Sequence, residues 1–138
     1  AELPPEGMDE AEKILERMRK ECPAAIKGFL EELTAMWHDM RDLPDNEERE
    51  ELSQKIFTCA HEIKDLAALA EDDLIAYFAE SLRDYIGETE LNLEAQRIII
   101  QSHVDAMNVV SKTGLKDGDS AEAEELKQMV KIAIAKYS

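Results

Sequence analysis

The chain has 138 residues, 44% of them hydrophobic and only 5% aromatic, which suits one domain with a mainly aliphatic core. Thirty-two acidic residues against 16 basic ones give a formal net charge of −16. That field repels nucleic-acid phosphates and anionic membrane surfaces, and it excludes both as partners.

Residues 1–7, Ala1-Glu2-Leu3-Pro4-Pro5-Glu6-Gly7, predict an irregular start without the basic-then-apolar order of a signal peptide. Residues 8–138 read as a single helical domain. A first helix is expected from about Met8 to Glu21, with Ile14, Leu15 and Met18 as its apolar face. Pro23 fits the first turn of a second helix, which carries Ile26, Phe29, Leu30, Leu33, Met36, Trp37 and Met40. Leu43-Pro44-Asp45 signals a turn. A third helix spans about Asn46 to Ala70. Its first residues, Glu47-Glu48-Arg49-Glu50-Glu51, read as a solvated helix start whose carboxylates suit the dipole. Glu71-Asp72-Asp73 reads as a break and recap before a fourth helix, about Asp73 to Ile86, with Gly87 at its C-terminal cap. A fifth helix runs from about Asn92 to Lys112. Gly114 to Asp119 is a loop, and Ser120 can cap a last helix over about Ala121 to Lys136.

Cys22 and Cys59 form no CxxC pair and read as two free thiols in a reducing cytosol. The tightest apolar cluster, Ile98-Ile99-Ile100, is far below transmembrane length. His103 lies on the apolar side of the fifth helix and reads as a partly buried structural histidine. His38 suits a helix C-terminus, and Asp117-Gly118-Asp119 reads as a turn rather than a calcium loop. No histidine has the Glu-x-x-His partner of a di-metal bundle, so no metal or other cofactor is expected.

The informative stretch is His61-Glu62-Ile63-Lys64. Leu52, Ile56, Cys59, Ala60, Ile63, Leu66, Ala67 and Ala70 share one side of the third helix. His61 lies roughly 140° from Ile56 at about 100° per residue, away from that stripe. Alone, such a histidine is usually an ordinary solvated side chain. Here Lys64 is one turn on, Ala68 follows on nearly the same face, and Phe57 sits one turn before. That combination offers a nucleophile, a cation and a small/aromatic surface where another protein can dock.

At these residues the sequence resembles histidine phosphotransfer (Hpt) domains of the bacterial stand-alone type. The family motif is a histidine, a lysine three residues later and then a glycine. His61 and Lys64 match it, with Asp65 at the glycine position. Trp37-His38-Asp39, Ala79-Glu80-Ser81-Leu82 and His103-Val104-Asp105-Ala106 extend the likeness over roughly Phe29 to Val110. The resemblance implies an antiparallel four-helix bundle, with additional N- and C-terminal helices packing outside it. It also implies a cytoplasmic phosphocarrier. His61 accepts phosphate, Lys64 steadies it, and Phe57, Asp65 and Ala68 meet the partner. That partner is a response-regulator receiver domain, with a hybrid sensor histidine kinase upstream. The alternative is a non-catalytic module that docks a receiver or kinase without accepting phosphate, and Asp65 favours it. The stretch also looks like the phospho-accepting helix of sensor kinases. Leu66 stands where those have proline, and no Asn/Gly-rich ATP site follows, so autophosphorylation is not expected.

Overall fold

A computed structural model describes residues 5–88, 93–115 and 117–137. It has five helices among these residues: α1 Pro5–Met40, α2 Glu47–Leu69, α3 Asp73–Glu88, α4 Leu93–Thr113 and α5 Ala121–Tyr137. The described residues hold no strand, and the chain is all-α.

The largest departure from expectation is α1. The two helices expected on either side of Pro23 are one helix of 36 residues that also takes in Pro5 to Gly7. Residues 1–4 of the expected irregular start lie outside the described residues. Proline deletes one intrahelical hydrogen bond and costs roughly 3 kcal/mol in a helix interior, yet its fixed φ is helical. Burial of Cys22 and Ile26 on either side of Pro23 holds the helix together across it. The turns before Cys22 differ from the rest. Every residue from Asp9 to Glu21 is exposed, so the apolar face expected there is left open among the described residues.

The remaining boundaries follow local chemistry. Asn46 caps α2, its side chain accepting from the Arg49 backbone N–H at 3.1 Å. The helix ends in paired reverse bonds, Asp72 N–H to Ala67 O at 2.8 Å and Glu71 N–H to Ala68 O at 3.2 Å. Glu71 takes the left-handed φ of 59° that this closure demands, a position that usually falls to glycine. Asp72 Oδ1 then accepts from Ile75 N–H and recaps the chain into α3. Gly87 lies inside the last turn of α3 rather than beyond it. The expected start of the next helix at Asn92 lies outside the described residues. Gly114, with φ +70°, closes α4. Asp117 Oδ1 accepts from Asp119 N–H, making the expected turn, and Ser120 Oγ accepts from Ala123 N–H at the start of α5.

Packing follows the apolar stripes. α1 meets α2 and α4, α2 meets α3, α3 meets α4, and α5 lies against α4. Trp37, Ile56, Ile63, Phe78, Leu82, Ile99 and Ile100 are fully buried at the centre, and Val130 and Ala133 bring α5 into the same cluster. A polar seam joins α1 to α4, where Trp37 Nε1 donates to Gln101 Oε1 at 2.8 Å and Asn108 Nδ2 donates to Thr34 Oγ1 at 3.2 Å.

Arg49 corrects the reading of its segment as wholly solvated. The neighbouring glutamates are exposed, but Arg49 itself has 0% exposure. Its Nη1 donates to Met40 O at 2.6 Å and Leu43 O at 3.0 Å, and its Nη2 donates to Gln96 Oε1 at 2.8 Å. Burial first and nearby Arg97 second pull its pKa below the usual guanidinium value, with Asp45 opposing. A guanidinium nevertheless stays charged in proteins. The cation sits on the carbonyl end of α1, where the helix dipole favours it. Arg49→Met is expected to destabilise the fold by about 3 kcal/mol, because it strands buried acceptors on α1, the turn and α4. Urea unfolding measures this, and an unchanged midpoint would show that water replaces the guanidinium.

Candidate functional site

The α2 stripe turns Ile56, Cys59, Ala60, Ile63 and Ala67 into the core, which leaves His61 on the outer face. Its side chain is 48% exposed and Lys64 is 29% exposed, so the expected pair is accessible mid-helix. Ala68 is exposed on the same helix. Phe57 is half-buried, and a Cβ on Gly87 would come within 3.1 Å of its Cε2. Phe57 therefore packs α2 against the end of α3, and only part of its ring remains to meet a partner.

Arg83 of α3 is the site residue that the sequence reading missed. Its Nη1 lies 3.2 Å from His61 Nδ1. A guanidinium can only donate, so Nδ1 is the acceptor and a neutral ring carries its proton on Nε2. Nε2 faces Asp65 Oδ2 at 3.3 Å, one helical turn along. Both ring nitrogens are thus engaged, one by a cation and one by a carboxylate.

The cations are themselves answered. Arg83 donates to Asp84 Oδ1 from Nε at 3.2 Å and from Nη2 at 3.0 Å. Glu80 Oε1 lies 3.8 Å from Arg83 Nη2 and 3.9 Å from Lys64 Nζ. This network therefore sets Asp65, Glu80 and Asp84 against Lys64 and Arg83, one negative charge in excess. A phosphoryl group adds up to about two more. Holding it requires the two cations to exchange their carboxylates for phosphate oxygens, or a partner to bring positive charge.

Beneath this surface, His103 of α4 is fully buried, a stronger version of the structural role expected for it. Its Nδ1 lies 2.7 Å from Ile99 O and its Nε2 lies 2.8 Å from Ser81 Oγ. A carbonyl only accepts, so Nδ1–H donates to Ile99 and Nε2 accepts the Ser81 hydroxyl proton. Ser81 and Arg83 are about 200° apart around α3, at about 100° per residue. The inward bond of one therefore sets the outward direction of the other.

The other candidates carry no chemistry here. Cys22 and Cys59 are buried free thiols, and burial with Glu32 and Glu62 nearby pushes the Cys59 thiol up to about 11, away from thiolate reactivity. Among the described residues no group of three His, Cys, Asp or Glu side chains is placed to hold a metal ion. No described helix is long and apolar enough to cross a membrane. Comparison with protein-family models, with curated proteins and with solved structures finds no match to this chain.

His103 generates a pH dependence. Desolvation, partly offset by the bond to Ile99, lowers its pKa from 6.5 to about 4. Below pH 6.5 the unfolded chain takes up a proton that the folded chain refuses, so stability is lost as pH falls from 6.5 toward 4. At about pH 5 the loss owed to His103 is about 2 kcal/mol relative to neutral pH. Relief of acidic self-repulsion acts in the opposite direction, so wild type is compared with His103→Gln by urea unfolding at both pH values. An identical pH response in the two proteins would show that the buried imidazole accepts the proton in place.

Proposed function

We propose that the protein is a histidine phosphotransfer protein, passing a phosphoryl group between His61 and the aspartate of a response-regulator receiver domain. One observation carries this reading: Arg83 of α3 reaches an exposed mid-helix histidine of α2 that has Lys64 one turn along the same helix. The ring of contacts among α1, α2, α3 and α4 fits the antiparallel four-helix bundle of that family, with α5 as the additional C-terminal helix. A cytoplasmic location and an upstream hybrid kinase belong to the same proposal.

The transfer would run in line. A lone pair on His61 Nε2 attacks phosphorus, a P–N bond forms, the P–O bond to the receiver aspartate breaks, and the carboxylate leaves. The attack needs the ring proton on Nδ1 rather than Nε2. Arg83 must therefore release Nδ1, which also frees its guanidinium for a phosphoryl oxygen. Lys64 supplies the second positive charge. Asp65 must withdraw from Nε2, because its carboxylate lies where the phosphoryl group would arrive.

The engagement of both ring nitrogens favours a second reading, a module that docks a receiver and does not accept phosphate. Incubation with phosphorylated receivers, followed by a search for acid-labile phosphate, separates the two. His61→Ala should abolish labelling and change stability by less than about 0.5 kcal/mol, as expected for an exposed side chain. Labelling that survives the substitution would move the acceptor elsewhere.

Asp65→Gly tests the obstacle itself. It removes the carboxylate from Nε2 at a helix cost of roughly 0.5–1 kcal/mol. Transfer should quicken while the melting temperature falls slightly. Slower transfer in a folded variant would make Asp65 a recognition residue for a basic group on the receiver. A variant that binds receivers and still takes no phosphate would favour the docking module.

A further inference from the structure

We propose that the first turns of α1 are a self-association surface, and that two copies of this chain pair through residues 9–21 as antiparallel helices. The observation is an apolar stripe left exposed among the described residues. Ile14 is 51% exposed, Leu15 43% and Met18 45%, within a run whose every residue is exposed. Ala11, Leu15, Met18 and Cys22 follow at steps of four, three and four, the alternation of a two-helix seam. The same stripe becomes core at Cys22, which is 3% exposed. One continuous apolar line is therefore buried by the bundle along most of α1 and left open over its first turns. At about 1.5 Å per residue the open part is roughly 20 Å long.

Charge identifies the occupant as a second copy. Asp9, Glu10, Glu12, Glu16 and Glu21 are set against Lys13, Arg17, Arg19 and Lys20, a net of −1, whereas the whole chain carries −16. Most surfaces of this protein would meet their own copy with strong like-charge repulsion, and this segment would not. Its charges are also ordered. At about 100° per residue Glu12 and Arg19 border the same edge of the stripe, one heptad apart. When a second copy runs in the opposite direction with Leu15 against Met18, each Glu12 comes beside Arg19 of the other copy, twice per dimer. Parallel pairing sets Arg19 beside Ile14 and forms neither ion pair. Among the described residues of one chain Arg19 pairs with Glu71, at 3.9 Å and with both side chains half or more exposed, a contact too solvated to hold it. The seam uses no side chain of the His61 network.

Sedimentation equilibrium of the chain, from low to high micromolar concentration and at low salt, tests this. A reversible monomer–dimer equilibrium is expected. Leu15→Glu/Met18→Glu should leave only monomer, with an unchanged melting curve because both side chains are exposed. Glu12→Arg and Arg19→Glu should each weaken the homodimer about tenfold, since each sets like charges together twice. Mixed in equal amounts, those two variants should recover the wild-type affinity as a heterodimer. A wild type that stays monomeric at every concentration overturns the proposal. So does a dimer indifferent to Leu15→Glu/Met18→Glu. Failure of the mixed variants to recover overturns the antiparallel arrangement.

Discussion

A buried cation held by neutral oxygens is the constraint on which the rest of this bundle depends. The Arg49 guanidinium gathers the last carbonyl of α1, a carbonyl of the following turn and the Gln96 side chain of α4. Burying a charge costs several kcal/mol unless its donors are answered, so the geometry that answers them is strongly selected. Three elements must arrive together for the Arg49 Nη donors to be met, while the buried Nε finds no partner among the described residues. Their meeting fixes where α2 starts against α1 and α4. His61 is twelve residues further along α2, roughly 18 Å at about 1.5 Å per residue, and its height in the bundle follows from that anchor.

Height alone does not aim a side chain; rotation does. Two inward hydrogen bonds set it. Cys59 Sγ donates to Phe29 O at 3.2 Å and holds the α2 stripe against α1. Ser81 donates to the buried His103 and holds α3 against α4. With both helices fixed, His61 and Arg83 emerge side by side on the outer surface. Beside them Glu80 and Asp84 neutralise the cations, and Asp65 occupies the free ring nitrogen. The result is a histidine held in one tautomer by its neighbours. Its availability for chemistry is governed by how readily exposed ion pairs, each worth about 0–1 kcal/mol, exchange partners.

The two ends of α1 show how one sequence pattern can have two fates. From Cys22 onward the stripe is covered by α2 and α4. Before it, the same periodicity continues over turns that stay exposed among the described residues. Pro23, which marked a boundary between helices in the sequence reading, instead lies close to where the core begins. A helix can carry a proline when the residues around it are buried, because packing free energy exceeds the single lost hydrogen bond.

Much of this was legible in the sequence, for reasons that are local. Periodicity at about 3.6 residues gave the helical class, the core stripe of α2 and the outward direction of His61, because helix geometry alone relates those positions. The caps at Asp72 and Ser120 were legible for the same reason, since each side chain answers a backbone group three residues away. The unbroken α1, the burial of Arg49 and the presence of Arg83 at the histidine were not. Pro23 and Arg49 read as a helix start and a solvated charge by every local rule, and only packing overrides those rules. Arg83 is 22 residues from His61, and nothing in their spacing links them. The register of α3 against α2 brings them together, and that register is decided by the core of the whole bundle. Local sequence determined which helices form and which faces they show; the tertiary structure decided which charges meet, because a charge network depends on distances between helices that no single helix contains.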